Sequence, residues 1–129
     1  MAKHYRVTLP DVLEAHAQAL SFGGLAGIRS RDLVESAIAR PYTGYYRSLA
    51  RKAAALTQSL AKNHGFVDGN KRTALLAVTL LVSRSGYRLV PRKGEINREI
   101  EEMILDVVEN RLTMEEVSQW FKQRLRRPR

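Results

Sequence analysis

Residues 70–86 read NKRTALLAVTLLVSRSG, and this stretch decides the fold. From Ala74 to Val82 it is apolar nearly all the way round a helical turn. A helix with no polar face has to be buried on every side, so it belongs at the centre of a bundle. Gly86 supplies a natural C-terminal stop, which makes the helix run from about Asn70 to Ser85. The apolar run is too short to cross a bilayer. The rest of the chain must therefore supply elements that cover it.

Working outward, Leu49, Ala53, Leu56 and Leu60 are spaced at i, i+4, i+7 and i+11 and predict a helix over Tyr46 to Asn63. Nearer the N-terminus, Thr8 can cap a first helix, with Pro10 in its first turn and Leu9, Leu13, Ala17 and Leu20 along one face. The glycines of FGGLAG end it. Ser30 caps a second helix, RDLVESAIAR, which stops at Pro41 because the residue before a proline is pushed out of the helical region. The segment PYTGYYRS that follows reads as a turn or short hairpin, with an exposed aromatic edge.

Beyond the central helix, YRLVP is strand-like. Ile96, Ile100, Met103 and Val107 then mark one face of a surface helix whose other face carries Glu95, Glu99, Glu101, Glu102, Asp106 and Glu109. Thr113 and Glu116 form a capping box that opens a last helix, with Val117, Trp120, Phe121 and Leu125 on its buried side. The expected class is all-α: a compact bundle of about six helices around a buried central helix, with a short hairpin-like flap. Residues 1–129 are read as one domain.

The 44% hydrophobic content is enough for a core without metal or disulfide support, and the absence of cysteine excludes thiolate chemistry. The N-terminal residues lack the apolar stretch of a signal peptide, so a soluble, cytoplasmic protein with no membrane role is expected. The formal net charge of +9 favours anionic partners. Part of that excess lies in KQRLRRPR, residues 122–129, which reads as a frayed, solvated tail.

Directly before the greasy helix stands HGFVDGNKR, residues 64–72. The first N–H groups of a helix lack intrahelical partners, and the helix dipole adds partial positive charge, so such an end binds phosphate readily. Gly69 lets the backbone approach an anion, Asn70 can donate to an oxygen, and Lys71 and Arg72 add full charges. Asp68 is a carboxylate of the kind that holds Mg²⁺ beside phosphates, His64 can take a proton from an attacking hydroxyl, and Phe66 is expected to point inward. Singly, each has a plain structural reading: a helix-end histidine, an N-cap and a solvated first turn. Jointly those readings weaken, because Lys71 and Arg72 sit where the dipole disfavours cations and so call for an anion. His4 and His16 have no such company and are read as structural.

The stretch HGFVDGNKR resembles the signature of Fic/Doc proteins, His-x-Phe-x-Asp/Glu-Gly/Ala-Asn-x-Arg, and GGLAGIRSRDLVESAIARP and SRSGYRL also resemble the death-on-curing (Doc) branch. The resemblance covers roughly residues 5–90. It implies a small helical toxin of a toxin-antitoxin pair that uses ATP and Mg²⁺ to modify a protein hydroxyl and is restrained by a partner antitoxin. Carried over by position, His64 is the catalytic base, Asp68 the metal-associated carboxylate, and Gly69, Asn70, Lys71 and Arg72 the cofactor-binding residues. Tyr42, Thr43, Gly44, Tyr45, Tyr46 and Arg47 would form the flap that aligns the target by edge pairing.

Two departures matter. Adenylyl-transferring Fic proteins have Gly where this chain has Lys71, and a second Arg where it has Leu75. The likeness is therefore to the Doc branch, associated with phosphorylation of translation elongation factor Tu and inhibition of translation. The self-restraining pattern Ser/Thr-x-x-x-Glu-Gly/Asn is missing: at Glu109-Asn110 the required hydroxyl position is Leu105. The alternatives are adenylyl transfer (AMPylation) at the same site and a non-catalytic nucleic-acid binder. Nucleic acid is expected only through the basic tail or the antitoxin.

Overall fold

The computed structural model describes residues 3–128 and contains six α-helices with a two-stranded antiparallel ribbon. The helices are α1 (Leu9–Leu20), α2 (Arg31–Ala39), α3 (Leu49–Lys62), α4 (Asn70–Arg84), α5 (Ile96–Val108) and α6 (Met114–Arg124). A 3₁₀ turn, Arg40–Tyr42, follows α2, and strands β1 (Arg88–Leu89) and β2 (Leu125–Arg126) pair with Arg88 opposite Arg126 and Leu89 opposite Leu125. The protein is all-α in class, as its periodicity predicts.

Most helices start where a short polar side chain can satisfy the unpaired first amides. Thr8, Ser30 and Ser48 accept from Asp11, Leu33 and Arg51 respectively, and the Thr113–Glu116 capping box forms as expected. The predicted third helix is shorter than its periodicity suggests, because Ser48 caps it and Tyr46 stays outside.

One apolar cluster draws on every helix, from Val12 of α1 to Phe121 of α6. The central helix α4 packs against α1, α3 and α5, and shares the centre with α3, which touches α2, α4, α5 and α6. Ten residues of α3 and seven of α4 are buried, and half of those ten are alanines that let neighbouring helices come close.

The buried face of α1 differs from the expected one. Val12, Ala15, His16 and Ala19 point inward, while Leu13 is 38% exposed and Ala17 is exposed. The two stripes are neighbouring faces of one helix, and the site loop beneath α1 selects the stripe that carries His16.

Of the turn or short hairpin expected for PYTGYYRS, and the hairpin-like flap, it is the turn that forms: residues 42–47 contain no strand, and the 3₁₀ turn with two anchored tyrosines holds them. Tyr42 Oη donates to the Tyr5 carbonyl (2.8 Å) and accepts from Val7 N–H (2.9 Å), while Tyr46 Oη accepts from Arg40 Nε (3.0 Å). Tyr45 alone of the three stands out, 78% exposed.

The basic tail is ordered through Arg126, while Arg129 lies outside the described residues. Lys122 and Arg124 belong to α6, and the next two residues are β2. Arg124 Nε donates to Glu99 Oε1 at 2.8 Å, with both side chains largely buried. Glu99 therefore leaves the solvated acidic face assigned to α5. The amides of Lys93 and Arg92, with the Arg124 guanidinium, hold its carboxyl down at about 2.

Candidate active site

The loop between α3 and α4 carries the motif and is held from three directions. Phe66 is the inward anchor, 2% exposed. His16 lies against it, ring centroids 3.8 Å apart and planes 12° from parallel, and His16 Nε2 donates to the Asp68 carbonyl at 2.8 Å. From the other side, residues 27–30 lie along the loop: Val67 N–H donates to Gly27 O (3.0 Å), and the Arg29 and Ser30 amides donate to Gly65 O (2.8 and 3.0 Å). Finally, the Asn70 side chain closes a ring with Phe66, accepting from its N–H (3.1 Å) and donating to its carbonyl (3.0 Å).

These constraints set the chemistry-bearing groups on the rim. His64 is exposed, has left-handed φ of 53°, and makes no ring hydrogen bond among the described residues. A non-glycine residue in that region stores strain of the kind found at functional sites. Asp68 is exposed, and its two carboxylate oxygens accept from Leu25 N–H (3.1 Å) and Gly69 N–H (3.3 Å). Each oxygen keeps a lone pair for a further partner. Gly24 has φ +113°, a backbone conformation that disfavours any side chain, and a Cβ on it would lie 3.2 Å from Asp68 Oδ2.

Among the six α-helices, α4 alone starts without a side-chain cap. Its cap position is Gly69, at φ 79°, and its first turn contains no acid but does contain Lys71 and Arg72. Arg72 is braced by the Phe22 ring, 4.2 Å from the centroid. The Asn70 amide is used on the loop and keeps one hydrogen free for an anion. The uncapped end opens into a cavity of about 490 Å³. His64, Asp68, Gly69, Asn70, Lys71 and Arg72 all line it; residues 42–47 do not.

Three contributors escaped the sequence reading. His16 gives no local sign that it touches a loop 52 positions away. FGGLAG, residues 22–27, reads from sequence as a helix terminator, but its glycine density is a usable signal of a loop pressed on the site, and Gly23, Gly24 and Gly27 all have positive φ. The opposite wall comes from α5, through Glu101, Ile104, Leu105 and Val108, a helix read as surface only.

No group of three or more metal-ligating side chains forms among the described residues. Asp68 by itself suits Mg²⁺, which takes one or two carboxylates and completes its shell with water and phosphate oxygens.

An uncapped, cation-bearing helix start thus stands behind a histidine and a carboxylate at the mouth of one cavity. The profile of the Fic/DOC family matches residues 6–82, and the chain belongs to that family. It is also similar to a protein named Toxin Doc from Mycolicibacterium smegmatis, 46% identical over 84 residues that cover 61% of this chain. The match spans 63% of that relative's length. No helix among the described residues is long and apolar enough to cross a membrane.

Proposed function

We propose that the protein is the toxin of a toxin-antitoxin pair and transfers the γ-phosphoryl group of ATP to a hydroxyl of a protein target. The observation that carries this reading is the uncapped start of α4, where Lys71 and Arg72 replace the acids a helix normally prefers, with His64 and Asp68 at the mouth of the same cavity. A volume near 490 Å³ is of the size that takes a nucleotide.

The residues divide the work. Free amides at the start of α4, Lys71 and Arg72 bind phosphate oxygens, and the braced Arg72 is pre-oriented for a two-pronged contact. His64 removes the proton of the target hydroxyl as its oxygen attacks the γ-phosphorus, the bond from the γ-phosphorus to the bridging oxygen breaks, and ADP leaves. Asp68 would hold Mg²⁺, which when bound neutralises charge between phosphates.

Lys71 and Leu75 favour phosphoryl over adenylyl transfer. Lysine puts a point charge where glycine would leave the helix mouth open, and Leu75, 8% exposed on the cavity wall, offers no second guanidinium clamp. The target suggested by the family resemblance is translation elongation factor Tu. Phe22 and Leu25, 72% and 69% exposed on the segment beside the cavity, support a protein cover such as an antitoxin.

The test is incubation with Mg²⁺, elongation factor Tu and ATP labelled at either the γ or the α position. Label from γ alone is expected, and His64→Ala should lower the rate by about 10²–10⁴. Label from α alone sinks the kinase reading in favour of adenylyl transfer.

A further inference from the structure

A second charged feature lies outside the residues matched by the family and takes no part in the chemistry above. In the β1–β2 ribbon, Arg88 stands directly opposite Arg126, both exposed. Side chains at one register position of an antiparallel pair project from the same face, and like charges placed so oppose each other. The Arg126 guanidinium is fixed on two carbonyls, Gln123 O (3.1 Å) and Leu125 O (2.8 Å). Arg92 joins it on the same residue, donating to Gln123 Oε1 at 3.0 Å. On the other face of the ribbon, Arg127 lies over the Tyr87 ring, 5.6 Å from its centroid.

None of Arg88, Arg92, Arg126 and Arg127 forms an ion pair among the described residues. The carboxylate nearest in the chain's wiring, Glu99, is already engaged by Arg124 and by the amides of Arg92 and Lys93. Arg126 and Arg92 are thus held by neutral acceptors in set directions, exposed Arg88 stands opposite Arg126, and none of the three is compensated by a carboxylate among the described residues. The ribbon face is therefore cationic and partly pre-oriented.

We propose that this ribbon face docks the phosphate backbone of duplex nucleic acid without reading its sequence. Charge density selects the partner. An extended acidic peptide presents carboxylates on one face about 7 Å apart, whereas duplex DNA carries one negative charge per about 1.7 Å of axis, the denser anionic field for a cluster of uncompensated arginines. Arginine's planar fork matches phosphate oxygens in pairs. Strands of two residues are too short to enter a groove, which limits the contact to the backbone.

The experiment is fluorescence anisotropy of the full chain with a short labelled duplex DNA, at salt from about 50 to 200 mM. Wild-type binding should weaken steeply with salt. The log–log slope should become shallower by about 1.8 in Arg88→Gln/Arg126→Gln, at roughly 0.9 for each phosphate contact removed. The single variants should each lose about half of that, and they carry the test if thermal melting shows the double variant to be poorly folded. Lys71→Ala, at the cavity, should leave the slope unchanged. Absence of binding, an unchanged slope in both single variants, loss of slope in Lys71→Ala, or equal binding of poly-glutamate at the same salt would each overturn the proposal. Phosphoryl transfer by Arg88→Gln is expected to match wild type, so this proposal and the toxin reading fail separately.

Discussion

Replacing Gly65 with alanine probes how the motif loop is seated. A Cβ at position 65 would lie 2.6 Å from Val34 Cγ2 and 3.2 Å from the Val34 nitrogen. Carbon atoms in good contact sit about 3.5–4.0 Å apart, so the overlap approaches 1 Å. Val34 is 1% exposed and cannot swing aside, and Gly65 O accepts from Arg29 and Ser30, so the loop cannot retreat without breaking those bonds. Overpacking of this kind costs about 1–3 kcal/mol. For a chain of this length each kcal/mol lowers the melting temperature by about 3–5 °C. Val34→Ala removes the offending methyl and should by itself cost about 1.5–3 kcal/mol of burial and cavity. If the collision is the mechanism, the double variant is less destabilised than the sum of the singles, by at least about 0.5 kcal/mol. Thermal and urea melts of the four proteins measure this. A Gly65→Ala protein that melts with wild type, or strictly additive singles, would refute the reasoning.

Three more outcomes follow from the same geometry. Phe66→Ala should lower stability by about 3–5 kcal/mol, because the ring is buried and stacked on His16; a loss under about 1 kcal/mol in urea melts contradicts that seating. His16→Phe keeps a ring against Phe66 but removes the bond to the Asp68 carbonyl, so it should impair transfer more than His16→Gln, which can still donate, and equal activity of the two would discount that bond. The Glu99 carboxyl is depressed from 4.5 to about 2, so its contribution is fully present above pH 4.5 and is lost as pH falls through about 2. The stability gap between wild type and Arg124→Ala should accordingly narrow across that window, and a gap independent of pH in denaturant titrations would exclude a stabilising Glu99–Arg124 contact.

The chain's sequence by itself determined what depends on neighbouring residues. Helix starts at Thr8, Ser30 and Thr113 are local hydrogen bonds of a side chain to an amide three positions on, and they formed as read. The burial of most of Ala74 to Val82 follows from its nearly all-apolar run, although the helix keeps one open side at Thr79, with Leu76 and Leu80 half-buried, and the placement of His64 to Arg72 at the start of that helix follows from order along the chain. Tertiary structure decided what depends on distant residues. Which stripe of α1 turns inward was settled by the loop it covers, because Leu13 and His16 lie on adjoining faces that local periodicity cannot rank. The Leu25–Asp68 and His16–Asp68 bonds span 43 and 52 positions, and a backbone group in such a bond leaves no mark on composition. Leu125 and Arg126 of the tail became a strand for the same reason: the tail's charges argue for solvent, but the Arg124–Glu99 contact and the pairing of Leu125 with Leu89 outweigh them only once α5, α6 and β1 have met.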